Sequence, residues 1–226
     1  MRKILWCGGS HLGTARKSVG SIFCEHDNDF YITAAPKARD WSVRGGRYVN
    51  RGSLVSGSPV EKGRDIDLSN YDHIVFVGQF VQISRYFCDF SPVSDFLVDS
   101  VIFSENFLLK LPAGDSQSPS FQKGTIYNEP LELFPKLMSN DSSCWLIPDP
   151  LPNGTASGAM VPLKVKKKFF EGVRRVCDAN KLNLFLQPDK TFDHEWRTLV
   201  QYSSYTTHMG KLFWDIVLAE LRSVLI

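Results

Sequence analysis

The sequence predicts an α/β fold organised as a doubly wound parallel sheet. Three observations carry this. Five short apolar runs bounded by turn residues read as buried strands, and helical periodicity separates most of them. The order strand, helix, strand implies βαβ units with both sheet faces covered. The chain has 226 residues, 43% of them hydrophobic, enough to bury one large core, and residues 1–226 read as a single domain.

The first run is "KILWC" (3–7), followed by a helical stretch over 11–25. The second is "DFYITAA" (29–35) and the third "HIVFVG" (73–78). A helix is predicted in "SDFLVDSVIFSENFLLKL" (94–111), with Ser94 as its cap and Phe96, Leu97, Val101, Phe107 and Leu108 as its apolar positions. The fourth run is "CWLIP" (144–148), followed by "LKVKKKFFEGVRRVCDANK" (163–181) with Val165, Phe169, Val173, Val176 and Cys177 on one stripe. The fifth is "LNLFLQ" (182–187). The last helix lies in "HMGKLFWDIVLAELRSVLI", where Phe213, Ile216, Val217, Leu221 and Val224 recur at i, i+3, i+4 spacing. Two connections read as long irregular loops: 36–70, rich in Gly, Arg and Ser, and 112–143, rich in Ser, Pro and Gly. In such a sheet ligands bind beyond the carboxyl ends of the strands, so chemistry is expected after Cys7, Gly78, Pro148 and Gln187.

Composition narrows the function. A net charge of +2 supplies no bulk attraction to nucleic acid. The basic cluster "KVKKKFFEGVRR" (164–175) reads as the solvated face of one helix. Cys7, Cys24, Cys88, Cys144 and Cys177 are scattered, odd in number and without C-x-x-C spacing, which argues against a disulfide framework and against zinc. The apolar run before Cys7 is too short for a signal-peptide core, and no run approaches a membrane span. A cytoplasmic protein that engages neither nucleic acid nor membrane is the expectation.

The chemistry-bearing stretch is "KILWCGGSHLG" (3–13), in which a strand ends in Gly8-Gly9 and a helix begins at Ser10. Ser10 has three readings: a helix N-cap, part of an anion nest, or a nucleophile beside a helix N-terminus that favours developing negative charge. "GGSHLG" fits neither G-x-G-x-x-G nor the Walker pattern, which weakens the nest. A nucleophile needs a base. His73 leads into a strand, His26 and His194 lie in polar stretches, and His11 adjoins Ser10 where neighbouring side chains diverge. His208 sits after a polar loop at the start of the final helix, at the same sheet edge.

The G-x-S-H turn after the first strand, the strand "HIVFVG" ending in Gly78, and a histidine just before a C-terminal amphipathic helix resemble the SGNH (GDSL-type) hydrolases. The resemblance runs from residue 4 to about residue 225, with the linking loops unmatched. It implies a flavodoxin-like three-layer sandwich with a five-stranded parallel sheet, ester hydrolysis or acyl transfer, and no cofactor or metal. Position by position it makes Ser10 the nucleophile and His208 the base. The Ser10 N–H and a loop glycine would hold the oxyanion, Gly52 being preferred over Gly45 and Gly46.

The sequence departs from the family pattern at three places. Gly9 stands where the family has the aspartate beside the serine. Phe80 stands at the oxyanion asparagine, with Gln79 one residue early. Tyr205 stands three residues before the base in place of an aspartate, and a phenol is uncharged at neutral pH. Asp189 or Asp193, in the loop after the fifth strand, is the alternative orienter to Tyr205. The stretches "WSVRGGRY" (41–48) and "GQFVQISRYF" (78–87) offer Arg44 and Tyr86 to a sugar or polar acyl acceptor. The expected function is a serine esterase acting on O-acyl, for instance acetyl, groups of a carbohydrate or small molecule. The alternatives are an acyltransferase using the same pair, and a binding protein that keeps the fold without the machinery.

Overall fold

A computed structural model of the chain describes residues 1–32, 41–44, 47–50, 65–78, 142–155, 161–204 and 208–226. Its elements are β1 (Lys3–Gly8), α1 (Ser10–Ile22), β2 (Asp27–Ile32), β3 (Trp41–Arg44), β4 (Arg47–Asn50), β5 (Asp65–Ile66), β6 (His73–Val77), β7 (Ser143–Ile147), α2 (Leu163–Ala179), β8 (Asn183–Leu184) and α3 (Lys211–Leu225). Five strands form one sheet in the order β2-β1-β6-β7-β8, all parallel. Counted along the chain within that sheet, the order is 2-1-3-4-5, the flavodoxin-like arrangement that the family resemblance implies.

The core follows from strand parity. Ile4 and Trp6 on β1, and Val75 and Val77 on β6, share a cluster with Leu12, Ala15 and Val19 of α1 and with Phe213, Trp214, Val217, Leu218 and Leu221 of α3. Leu5, Cys7, Ile74, Phe76, Cys144 and Leu146 have the opposite parity and are equally buried. On that side Cys144, with Cys177 of α2 in its vicinity, has its thiol pKa raised by burial. Central strands buried on both faces are the reason the apolar runs are continuous rather than alternating. Trp6 also has a polar handle: its Nε1 donates to Asn28 Oδ1 at 2.9 Å, and Asn28 Nδ2 donates to the Phe23 and His26 carbonyls. This ties the end of α1 to the start of β2.

Several sequence expectations need correction. The 36–70 connection is not wholly irregular: β3, β4 and β5 form a three-stranded antiparallel sheet, with Arg44 opposite Arg47. β8 has two residues rather than six, because it is the sheet edge and pairs only with β7. Val224 of α3 is 56% exposed; the buried face is Phe213, Trp214, Val217, Leu218, Leu221 and Leu225. The basic cluster on α2 is not uniformly solvated either. Lys164, Lys167, Arg174 and Arg175 are exposed, but Lys166 is fully buried and donates to the Glu195 and Trp196 carbonyls at 2.8 and 3.1 Å. The helix at 94–111, nearly all of the 112–143 loop, Cys88 and the Val165 side chain lie outside the described residues.

Candidate active site

In a doubly wound sheet the ligand crevice forms where neighbouring strands send their connections to opposite sides. Here that point lies between β1, whose chain turns toward β2, and β6, which follows the crossover to the other side. Two glycines shape the edge. A Cβ on Gly8 would lie 2.6 Å from both Leu12 Cβ and the Val77 carbonyl oxygen, so α1 can start directly over the β1–β6 seam only because this residue has no side chain. Gly78, just past β6, adopts φ +63°, which favours glycine, and a Cβ there would lie 2.9 Å from His11 Cδ2.

The N-cap of α1 is Gly9, and Ser10 is the first helical residue, so the reading of Ser10 as a cap fails. Its carbonyl accepts from Thr14 Oγ1 at 3.0 Å, and its side chain is exposed. The first helical bond runs from Gly13 N–H to the Gly9 carbonyl, which leaves the N–H groups of Ser10, His11 and Leu12 outside the ladder, facing the sheet edge. A partial positive charge is thereby concentrated at the Ser10 backbone.

His208 arrives from the other end of the chain. α1 and α3 pack on the same side of the sheet with their N-termini at the carboxyl edge, and His208 lies just before α3. The turn leading to it is fixed at several points. Ser204 N–H and Oγ both donate to the His208 carbonyl, at 2.9 and 3.2 Å, and Gly210 N–H donates to the Tyr202 carbonyl at 2.7 Å. Ser203 pairs with Met209, which is fully buried. Below this turn lies a polar network that joins three loops. Asn153 Nδ2 donates to Ser203 Oγ, Thr198 Oγ1 donates to the Leu151 carbonyl at 2.6 Å, and Gln187 receives Leu151 N–H and donates to Thr198. The loops after β7 and β8 therefore brace the segment that carries the histidine.

The structure brings His208 to α1 through His11. The two imidazoles stack with centroids 5.3 Å apart and planes 25° from parallel, and the Trp214 ring lies 6.3 Å from His11 on another side. Burial, and secondarily the His208 ring beside it, push the His11 pKa down to about 4. His11 is thus neutral wherever an ordinary histidine base would function. Ser10 is exposed and His11 buried, the divergence that consecutive helical residues show. Among the described residues no hydrogen bond joins the Ser10 hydroxyl to His208; catalytic bonds of this kind commonly close only around substrate.

The other histidines serve elsewhere. His73 is buried in β6 with Nδ1 2.7 Å from Ser143 Oγ, His26 receives the Arg2 N–H, and His194 is 85% exposed beside Glu195. Asp193 is committed to its own turn: it accepts from Glu195 N–H, Arg197 N–H and Arg197 Nε, which hold its carboxyl below the usual range against the opposing effect of burial. Three of its acceptor positions are therefore taken up within its own turn. Asp189 is exposed and opens a 3-10 turn whose last residue, Thr191, is buried. Gly52, Gln79, Phe80, Tyr86 and Tyr205 lie outside the described residues, and Arg44 is described only as backbone in β3. No group of three or more metal-binding side chains occurs among the described residues, and none of the helices described there is long and apolar enough to cross a membrane.

Two contributors have little or no signal in the sequence. His11 adjoins Ser10, and only the alternation of "SH" at a helix start, one side chain outward and the next inward, marks it. The Asn153–Ser203 tie has no local signal, since fifty residues separate its ends.

No protein-family model matches the sequence, and no curated protein matches it. Solved structures do. An acetyl xylan esterase superposes with a TM-score of 0.53 at 13% identity, over 99% of this chain and all of the other. A protein from Lactobacillus plantarum gives a TM-score of 0.53 at 12% identity, over 99% of this chain and 96% of its own. A Bacteroides fragilis protein proposed as an acylhydrolase gives 0.50 at 10% identity, over 99% and 86%. At such identities the likeness shows the fold alone: with the sheet order, it gives this chain the same doubly wound, flavodoxin-like α/β architecture as these structures.

Proposed function

We propose that the protein is a serine esterase of SGNH type that removes O-acyl, in particular acetyl, groups from a carbohydrate or small polar substrate. The observation that carries this reading is the delivery of His208 to the N-terminus of α1, at the switch point where Ser10 is exposed. Ser10 Oγ attacks the ester carbonyl while His208 takes its proton. The tetrahedral oxyanion is held by the Ser10 N–H, aided by the positive end of α1 and by Gly52 or Gln79. His208 then returns the proton to the leaving alkoxide, and water releases the acyl group by the same route reversed. Tyr205 orients the base, and Arg44 and Tyr86 hold the substrate's polar groups. No cofactor or metal takes part. The likeness to an acetyl xylan esterase supports the choice of acyl group and substrate class. The cysteines among the described residues, Cys7, Cys24, Cys144 and Cys177, are free, which accords with a reducing, cytoplasmic setting.

The experiment is treatment of the folded protein with a fluorophosphonate, followed by mapping of the adduct and by assay on acetylated oligosaccharides. An adduct on Ser10 that is lost in Ser10→Ala and His208→Ala supports the esterase. A second reading, a binding protein that keeps the fold, is favoured by Phe80 and Tyr205 standing in place of the family's Asn and Asp; a folded protein that is never labelled would sink the esterase and favour this reading. An ester newly formed on an added alcohol would instead identify acyl transfer.

A further inference from the structure

Within the esterase reading, one buried residue has no part in the steps above: His11. Its ring is held on several sides. His208 stacks on it at 5.3 Å and 25°, Trp214 lies 6.3 Å away, and the bare Cα of Gly78 leaves room for its edge. Its residue is 9% exposed, and Nδ1 has no hydrogen-bond partner among the described residues. A buried ring nitrogen without a polar partner is costly, and what the ring presents to His208 is its stacked face. Trp214 is fully buried in α3, and Gly78 follows the central strand β6, so the platform under His208 is built from three elements of the core.

We propose that His11 is the positioning residue for His208: its buried ring is the surface against which the His208 imidazole is laid flat, fixing the ring's plane beside Ser10. An offset-stacked pair fixes the plane of its partner. A neutral aromatic face also attracts the imidazolium that His208 becomes after taking the serine proton. The inference rests on the esterase reading of Ser10 and His208, and the test separates the two.

The test compares His11→Leu with His11→Phe in the full chain. The first removes the aromatic face; the second restores it. Two readouts are taken: the His208 ring resonances by NMR, assigned with His208→Ala, and the rate constant and apparent affinity for fluorophosphonate labelling of Ser10. In His11→Leu the His208 resonances should leave their stacked position, and the labelling rate constant should fall about 100-fold, the scale of a 1 Å misplacement, with probe affinity unchanged. In His11→Phe the resonances should stay stacked and the rate constant lie within about 5-fold of the natural protein. Should His11→Leu fail to fold, Gly78→Ala replaces it, since the added methyl would press on His11 Cδ2 from 2.9 Å and tilt the platform. A labelled natural protein in which neither His11→Leu nor Gly78→Ala alters the His208 resonances or the rate constant overturns the inference alone. A natural protein that is never labelled overturns the esterase reading and this role with it.

Discussion

Gly8→Ala should destabilise the protein, whereas Gly13→Ala and Gly20→Ala should stabilise it, although all three are glycine-to-alanine changes within thirteen residues. At Gly8 the new methyl meets Leu12 Cβ and the Val77 carbonyl oxygen, both at 2.6 Å. The second contact is backbone of a central strand and cannot rotate away. Overpacking of this kind costs about 1–3 kcal/mol, and the upper end applies where backbone must move. The smaller entropy of the unfolded alanine chain returns about 0.4–1 kcal/mol. The net is a loss of about 2 kcal/mol, or roughly 4–8 °C in Tm for a chain of this size. At Gly13 and Gly20, inside α1 and exposed, nothing lies within 4 Å of the added Cβ, so helix propensity alone decides and each change adds about 1 kcal/mol. The two sites are far enough apart for the double variant to gain nearly the sum. Urea unfolding followed by far-UV circular dichroism measures all four variants. A Gly8→Ala protein as stable as its parent would refute the close seating of α1 on the β1–β6 seam.

Three further outcomes follow from the same structure. The folded pKa of His11 lies below its unfolded value of 6.5, at about 4, so the unfolded chain binds more protons between those values. Stability is therefore full above pH 6.5 and is lost as pH falls toward 4, by about 3 kcal/mol for this residue; a His11→Phe variant titrated alongside should lack that share, while His73, also lowered by burial, keeps its own. Lys166→Met leaves the Glu195 and Trp196 carbonyls without their buried donor, at about 1–3 kcal/mol each, and should lower the urea midpoint accordingly. Asn153→Ala removes the tie to Ser203 and should cost about 1 kcal/mol of stability; hydrogen exchange at the amides of Ser203, Ser204 and Gly210 should quicken.

The parts of the fold that were legible in the sequence are those set by continuous burial. β1, β6 and β7 are runs of apolar residues because they are covered on both faces, and their ends fall within a residue of the runs. The helices α1, α2 and α3 were legible from their periodicity, but the exact face of α3 was not. A 3.6-residue period admits Val224 as well as Leu225, and only packing on α1 chooses between them. The hairpin of β3 and β4 had a signal in Gly45-Gly46 between two short β-rich runs, the composition of a two-residue hairpin turn; the abundance of Gly, Arg and Ser around it concealed the alternation. At the site, Ser10 was legible because a glycine pair between strand and helix marks a switch-point turn. His11 was not, because its importance depends on a ring two hundred residues away.

A Ser10 nucleophile served by His208 is read out by the intact mass of the folded protein after fluorophosphonate treatment. A single adduct is expected, mapped to Ser10 and absent from Ser10→Ala and from His208→Ala, while the unfolding free energy of both variants stays within about 1 kcal/mol of the parent's. An unmodified protein, or an adduct on any other residue, would contradict it.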